Sequence, residues 1–434
     1  MKAWQRVLTG VLLSVLLMCT AAARNGAEIR TLENGITMVM LRDANLPLVS
    51  MGFYQPGGVV AQSEDNSLAS ITYALLSEGT RTYSRQQLHS IEENGGSIGA
   101  QSYNRLGALS ATVHRDDAAT TLSFLVSMQR EPLLPPERFE VIRNQTMAAI
   151  ANRQAIAHRH GAWLFRRELF AGTPMAFTAT GDAEATANLS IDEVRDYHRR
   201  VIARSGGAYF LLAGDLDQPL IELVVSQLSA LPADDETALK AFVHFDTASP
   251  LQRWHDAPGQ QAHIFLRYSI PGADDPCFPP LQVGTAILGG GMGSRMFSQL
   301  REREGLAYSV NASLGTTMVN ASIDAYMGTA RHNAAYALDA MQRHFRQLRD
   351  ELVSESELQR AQNYLVGNHA LSRETIGDQG FSALLNIAMG LGAEHDASYP
   401  ERIFAVTAQQ IQQCAQQWLD AEPDFLVYGA DQPR

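Results

Sequence analysis

A short stretch of the chain, LASITYALLSEGT at residues 68–80, places three side chains in an arrangement that often does chemistry. Its apolar residues recur at offsets of three, seven and eight, which predicts a helix packed on a core. Ser70, Tyr73 and Ala74 then share a different face, because residues i, i+3 and i+4 of a helix point the same way. This geometry suits a metal ion or an acid–base pair. None of the three side chains, however, is a good metal ligand.

Other candidate motifs in the sequence are incomplete. His89 and Glu92 form half of a metal motif, but the next residue is not a histidine, so we interpret the pair as a solvated helix face. His158 and His160 diverge on a helix, so shared ligation there would need extended backbone. The glycine-rich loop LGGGMGSR lacks the pattern of a nucleotide-binding loop and is interpreted as a flexible turn before a helix. Neither Cys277 nor Cys414 lies in a recognisable nucleophile motif.

The amino terminus has the composition of a secretory signal peptide. Lys2 and Arg6 precede an apolar run too short to span a bilayer, and alanines at 21–23 supply a cleavage site. We therefore predict a signal peptide over residues 1–23. Lipid modification at Cys19 is the alternative, but a bulky residue precedes it where a small one is wanted. No later segment is apolar for long enough to span a membrane, so the sequence predicts a soluble periplasmic or otherwise exported protein without stable membrane insertion.

Charge and cysteine content restrict the function further. The chain has 34 Lys and Arg against 46 Asp and Glu, and removal of two basic residues with the signal peptide changes the net charge from −12 to 32 − 46 = −14. Such an acidic chain is a poor nucleic-acid binder. Only Cys277 and Cys414 remain in the mature chain. Export permits a disulfide between them, but the sequence leaves the pairing open.

Two segments of the chain repeat the same order of features at a spacing of roughly 200 residues. Each runs strand, helix, helix, strand pair, long helices and strand. The first contains RTLENGITMVML and closes on AYFLLAGDLD, whereas the second begins at QAHIFLRYSI and closes on DFLVYGADQ. This pattern predicts an α+β fold of two similar domains from an internal duplication, each an antiparallel-rich sheet with helices packed on one face. We expect the domains to face each other across a cleft.

The repeat also indicates where the domains begin and end. We predict an N-terminal domain over residues 24–230 and a C-terminal domain over residues 251–434. The stretch between them, residues 231–250, lacks the repeated order and is interpreted as a linker. A mature chain of this length is long enough to bury two cores.

Several segments of the chain resemble the pitrilysin/insulinase family of zinc metallopeptidases. They are TLENGITMVMLRDANLPLVSMGFYQPGG, the LLSEGT that ends the first helix, ENGGSIGAQSYNR and, above all, LGGGMGSRMFSQLREREGLAYSV at residues 288–310. The resemblance covers essentially all of the mature chain. It is strongest with the short bacterial type, which has two domains per chain and is similar to the mitochondrial processing peptidase subunits.

The resemblance implies a zinc site that this chain has lost. Active members carry His-x-x-Glu-His on the first helix and a third ligand, a glutamate, on a later long helix. Aligned on the Gly-Thr pair after the first helix, this chain has Ser70 and Ala74 at the histidine positions and Tyr73 at the position of the catalytic glutamate. Ala149 takes the place of the third ligand. A hydroxyl, a phenol and two methyl groups cannot hold zinc, so we expect no metal and no catalytic residue in this chain.

The second half keeps residues that the family uses to hold substrate. The resemblance places Arg301 and Tyr308 where family members carry an Arg and a Tyr that reach toward the zinc site. A guanidinium can grip a peptide carbonyl, and a phenol can donate to the oxygen that gains charge during attack on the scissile bond. The alternative is an ordinary surface arginine at a helix end and a strand tyrosine in the core.

The sequence therefore predicts a non-catalytic, substrate-binding subunit of an exported heteromeric zinc metallopeptidase. The family includes pairs in which one chain holds the zinc motif and the other holds the Arg and Tyr, and this chain resembles the second kind. We expect a homologous zinc-bearing partner, zinc in that partner alone, and peptides or unfolded segments bound as an added strand at a sheet edge. Two alternatives stay open: a scaffold or peptide-binding protein without a peptidase partner, and a metallopeptidase with other ligands.

Overall fold

The computed structural model describes residues 26–234, 243–315 and 319–432. The predicted signal peptide, the alternative lipid site at Cys19 and part of the predicted linker lie outside these residues. Within the described part of the chain, no helix combines the length and the apolar character that crossing a bilayer requires.

Two sheets are formed by the described residues. The first contains β1 (Glu28–Thr31), β2 (Thr37–Arg42), β3 (Leu48–Pro56), β4 (Ser97–Ser102), β5 (Leu106–His114) and β6 (Tyr209–Gly214). The second contains β7 (Gln252–His255), β8 (Gln261–Ser269), β9 (Ala307–Gly315), β10 (Ser322–Ala330) and β11 (Asp424–Tyr428).

Helices fill the intervals between these strands. Those of the first half are α1 (Leu68–Leu75), α2 (Arg85–Glu93), α3 (Ala118–Arg130), α4 (Pro136–Ala155), α5 (Ala157–Leu169), α6 (Ala183–Ala187), α7 (Ile191–Tyr197) and α8 (Gln218–Ser229). Those of the second are α9 (Phe278–Gly289), α10 (Ala334–Asp350), α11 (Glu355–Leu371), α12 (Ile376–Ala388), α13 (Tyr399–Phe404) and α14 (Ala408–Trp418). Two π-helical segments, His198–Ile202 and Phe297–Arg303, and six short 3₁₀ turns complete the described helical structure.

Local sequence signals determine where several helices begin. Ser84, Ser190, Ser354 and Thr407 each form a capping box at the start of α2, α7, α11 and α14. In each box the hydroxyl accepts from a backbone N–H of the first turn, and a Glu or Gln side chain bonds back to the backbone of the cap. Pro136 opens α4, where the missing N–H would have had no helical partner.

The two sheets share one strand order. The first runs β1-β2-β6-β3-β5-β4 and the second runs β7-β11-β8-β10-β9. From β2 onward the two orders match strand for strand, and the parallel pair of β2 and β6 corresponds to the parallel pair of β7 and β11. The α+β fold with two similar halves, predicted from the sequence, is confirmed. In this arrangement β4 and β9 are equivalent strands at the edge of their sheets.

Each half buries one face of its sheet against its own helices. In the first half Phe53 and Phe210 meet edge to face, with ring centroids 4.9 Å apart, inside a core that also contains Leu75 of α1. In the second half Tyr268 stacks on Phe345 of α10 with centroids 4.7 Å apart. Each aromatic side chain of this size removes a large apolar area from water when it is buried.

The opposite face of each sheet receives a helix from the other half of the chain. Helix α12 packs Leu384 against Leu211 of the first sheet, whereas α5 packs Phe165 against Phe265 of the second. As a result β3 is buried on both faces along most of its length. The sequence did not indicate this exchange, which packs a helix of each half against the sheet of the other.

Both exchanged helices approach the sheet through a glycine. A Cβ on Gly161 of α5 would lie 2.8 Å from the ring of Phe265, and a Cβ on Gly380 of α12 would lie 2.7 Å from Leu211. At these distances a larger residue would force either the neighbouring side chain or the helix to shift. The two glycines therefore allow the close contact between halves.

Cys277 and Cys414 form a disulfide, with the sulfur atoms 2.11 Å apart and the Cα atoms 5.4 Å apart. Cys277 precedes α9 and Cys414 lies in α14, so the bond joins two helices that cover the second sheet. The structure thus decides the pairing that the sequence left open.

Candidate functional site

Helix α1 carries the face on which the sequence indicated a lost zinc site, and this face is largely closed. Tyr73 is only 1% exposed, while Ser70 and Ala74 are half buried. The Ser70 hydroxyl lies 3.0 Å from the hydroxyl of Ser102, which is the last residue of β4. Ser70 therefore links the helix to the edge strand of the first sheet.

Tyr73 occupies space left by a missing side chain on β5. A Cβ on Gly107 would lie 1.8 Å from the Tyr73 hydroxyl oxygen, so the phenol sits directly against the backbone of Gly107. The hydroxyl has no hydrogen-bond partner among the described residues, and burial raises the pKa of Tyr73 above its ordinary value. A buried neutral phenol cannot take the proton that a catalytic glutamate would accept.

Replacing Tyr73 with Phe is expected to stabilise the protein by about 1 kcal/mol, because the change removes a buried hydroxyl that lacks a partner. Chemical denaturation followed by circular dichroism measures the effect. Tyr197→Phe is a matched control, since Tyr197 is equally buried but donates to the Gly58 carbonyl oxygen at 2.7 Å. We expect this control substitution to lower the free energy of unfolding by roughly 1–3 kcal/mol. If Tyr73→Phe lowered the free energy of unfolding as much as Tyr197→Phe does, the result would contradict this account.

Ala149, which the resemblance aligns with the third family ligand, carries an exposed methyl group. Ala149 lies on α4, which packs against α1. Zinc takes imidazole, thiolate or carboxylate ligands, so Ala149 together with the three positions on α1 does not fit the ion. Within the ranges that the structure describes, no cluster of three or more His, Cys, Asp or Glu could hold a metal ion.

The histidines noted in the sequence make ordinary contacts. His89 pairs with Glu92 at 3.2 Å on the exposed face of α2, as the interpretation of a solvated face predicted. The ring of His160 stacks on the indole of Trp163, with centroids 5.4 Å apart. The ring centroid of His158 lies 6.0 Å from that of His263. The two α5 histidines therefore face different neighbours.

Arg301 and Tyr308 are both exposed. Tyr308 is the second residue of β9 and is 64% exposed, so it is not the core tyrosine of the alternative interpretation. Arg301 lies in the π-helical segment Phe297–Arg303, with its guanidinium carbon 4.8 Å from the ring centroid of Phe297. The exposed phenol thus lies on the edge strand β9, and the exposed guanidinium lies in the segment that packs against this strand.

The edge strands offer unpaired backbone. Within the described residues β4 pairs with β5 alone, and β9 pairs with β10 alone. The outer N–H and C=O groups of such strands can bond an added strand. Tyr308 is on one of these edges, and Ser102, the partner of Ser70, is on the other.

Sequence reasoning missed two residues that shape the altered site. Gly107 makes room for Tyr73, and a lone glycine within a strand pattern often marks a close approach of this kind, so LGALSATV contained a usable signal. Ser102 bonds Ser70 across 32 residues of chain, and no local pattern marks it.

Comparisons with known proteins agree with this geometry. A family model described as the peptidase M16 inactive domain matches residues 188–365. The non-peptidase homolog YmxG of Helicobacter pylori is 24% identical over 395 residues, covering 86% of this chain and 87% of that protein. The uncharacterized zinc protease YmxG of Bacillus subtilis is 21% identical over 347 residues, which cover 80% of this chain and 84% of that protein. The crystal structure of a peptidase M16 inactive domain from Pseudomonas fluorescens superposes with a TM-score of 0.84 at 19% identity, covering 94% of this chain and 98% of that one.

The fold and the altered site define a class of protein: two similar α+β halves built like an M16 peptidase, without the side chains that bind zinc. Residues 188–365 are similar to the peptidase M16 inactive domain, and the fold of the chain is that of a solved M16 inactive domain. The resemblance to zinc metallopeptidases inferred from the sequence is confirmed.

Proposed function

We propose that the protein is the non-catalytic, substrate-binding subunit of an exported zinc metallopeptidase formed with a homologous, zinc-bearing chain. The observation that carries the proposal is the contrast between the two halves. The first half has closed its catalytic face over the buried Tyr73, whereas the second presents Tyr308 at 64% exposure on a free edge strand. A large exposed aromatic residue beside unpaired backbone is typical of a binding surface.

In this proposal the chain holds and orients the peptide. A substrate segment pairs with the backbone of β9, and the Arg301 guanidinium donates to a backbone carbonyl oxygen. The Tyr308 hydroxyl donates to the scissile carbonyl oxygen as that oxygen gains negative charge. The zinc and the catalytic base belong to the partner, which supplies the attacking water.

The disulfide between Cys277 and Cys414 supports export. Disulfides persist in oxidising compartments and are rare where glutathione keeps thiols reduced. The bond therefore agrees with the signal peptide predicted from the sequence, and we propose the periplasm as the location of the mature protein.

A second candidate function is a scaffold or peptide-binding protein without a peptidase partner. The name of the Helicobacter pylori relative, a non-peptidase homolog, favours this candidate as much as the first. The name of the Bacillus subtilis relative, a zinc protease, favours an association with proteolysis. A neighbouring reading frame that encodes a similar chain with His-x-x-Glu-His would favour the heteromer, and its absence would favour the scaffold.

Coexpression separates the two candidates. The mature chain is produced with a homologous chain that carries the intact zinc motif, and the mixture is analysed by size-exclusion chromatography with light scattering and by peptide cleavage. We expect a stable complex whose cleavage is chelator-sensitive and exceeds that of either chain alone. Peptide binding by this chain without complex formation would support the second candidate and contradict the first.

A further inference from the structure

A cavity of about 360 Å³ lies between α5 and the face of the second sheet that α5 covers. This volume is at the lower end of the range of ligand sites, roughly 300–1,000 Å³. Its polar lining residues include Arg166 on α5, Arg267 on β8 and Asp324 on β10, with Asn311 and Ser313 on the edge strand β9. The cavity therefore combines two guanidinium groups with the free edge of the sheet.

Both arginines have unused hydrogen-bond donors. Arg267 is 8% exposed, lies 3.5 Å from the nearer Asp324 oxygen and donates to the Asn320 carbonyl oxygen at 3.3 Å, while its buried Nε has no partner among the described residues. Arg166 donates to the amide oxygen of Asn104 at 2.8 Å, and its Nε likewise has none. Guanidinium groups are normally buried only where acceptors satisfy them.

The positive charge of the cavity exceeds its negative charge. Asp324 is the one carboxylate among the lining residues, and burial raises its pKa, which weakens its value as a counter-ion. Burial and the charge of Arg267 together lower the pKa of Arg166 to about 10, against the opposing effect of Asp65 and Asp324. Arg166 stays charged at neutral pH. An additional anion would therefore stabilise both guanidinium groups.

We infer that this cavity binds a carboxylate group of a peptide that lies along β9. The inference rests on the proposed function and adds a substrate preference to it. A guanidinium fork matches the two oxygens of a carboxylate, which explains two arginines better than a neutral ligand would. Asn311 and Ser313 lie three and five residues beyond Tyr308 on the same strand, so the carboxylate is three to five residues from the peptide bond held by Tyr308.

Fluorescence anisotropy with labelled peptides and the purified mature chain tests this inference. One peptide pair differs by a free or amidated carboxyl terminus, and a second pair differs by an internal Glu or Gln. We expect the free acid of at least one pair to bind about tenfold or more tightly than its neutral counterpart, since charge-assisted hydrogen bonds are the stronger kind. The pair that shows the effect identifies the source of the carboxylate.

Arg166→Gln is expected to abolish the preference for the acid while the neutral peptide still binds. Arg167→Gln is the matched control, because Arg167 is the next residue of α5, is half exposed and pairs instead with Asp182 at 3.4 Å. The control is expected to keep the preference. If the Arg166→Gln variant fails to fold, the comparison of acid and neutral peptides on the unaltered protein still tests whether the cavity binds a carboxylate.

Two results would overturn the inference. Equal binding of acid and neutral peptides would remove the carboxylate site and leave the proposed function in place. Absence of binding by every peptide would contradict the carboxylate site and the proposed function together.

Discussion

Replacing Tyr308 with Phe is expected to lower kcat of the reconstituted peptidase pair by about a hundredfold or more without dissociating it. The phenol is 64% exposed on β9, so its hydroxyl has little part in the stability of the fold. Loss of one donor to a developing oxyanion costs a factor of about 10²–10³ in kcat. Steady-state cleavage of a quenched fluorescent peptide measures the effect, with light scattering as a test of assembly.

The matched control is Tyr364→Phe, which removes an exposed phenol from α11 in the same half. It is expected to leave turnover unchanged. Arg301→Ala is expected to raise KM as well as lower kcat, because a guanidinium that grips the peptide backbone contributes before and during the reaction. Unchanged turnover in both Tyr308→Phe and Arg301→Ala would return these residues to ordinary surface roles.

Replacing Cys277 and Cys414 together with Ser is expected to lower the free energy of unfolding by about 3–5 kcal/mol. The bond links residues 137 positions apart, and closure of a loop of this length removes a large part of the conformational freedom of the unfolded chain. Cys414 is also 7% exposed, so the serine hydroxyl enters a mostly apolar core. Guanidinium denaturation of the unaltered and doubly substituted proteins measures the difference.

Reduction provides an independent test of the cross-link. Dithiothreitol is expected to lower the denaturation midpoint of the unaltered protein to near that of the double variant, and to leave the double variant unchanged. Equal midpoints for oxidised and reduced unaltered protein would show that the bond contributes nothing to stability.

The duplicated architecture could be predicted because its signals are local and occur twice. The Asn-Gly turn of RTLENGITMVML, the alternation in LPLVSMGFY and the strand that closes each copy indicate the same order of elements in both halves. Exchange of α5 and α12 between the halves could not be predicted. The burial of β3 on both faces requires a second covering layer, but no pattern in β3 specifies that this layer comes from beyond residue 370.

Some features of the altered site could likewise be predicted from the sequence, and others could not. The resemblance implies that Ser70, Ala74 and Ala149 stand at ligand positions of the family, and their residue types alone show that they offer no imidazole, thiolate or carboxylate. Burial of Tyr73 against Gly107 depends on how a helix and a strand meet, which no single segment encodes. The arginines of the carboxylate cavity lie on an exchanged helix and on the opposite sheet, so they become neighbours only once the halves are assembled.

The metal content of the isolated, tag-free mature protein tests the central claim most directly, because every other role proposed for the chain assumes that it lacks a catalytic ion. Elemental analysis after purification in zinc-containing buffer and gel filtration is predicted to find far less than one zinc per chain. A peptide-cleavage assay on the same sample is predicted to find no chelator-sensitive activity. One tightly held zinc per molecule, together with cleavage that a chelator abolishes, would contradict the account.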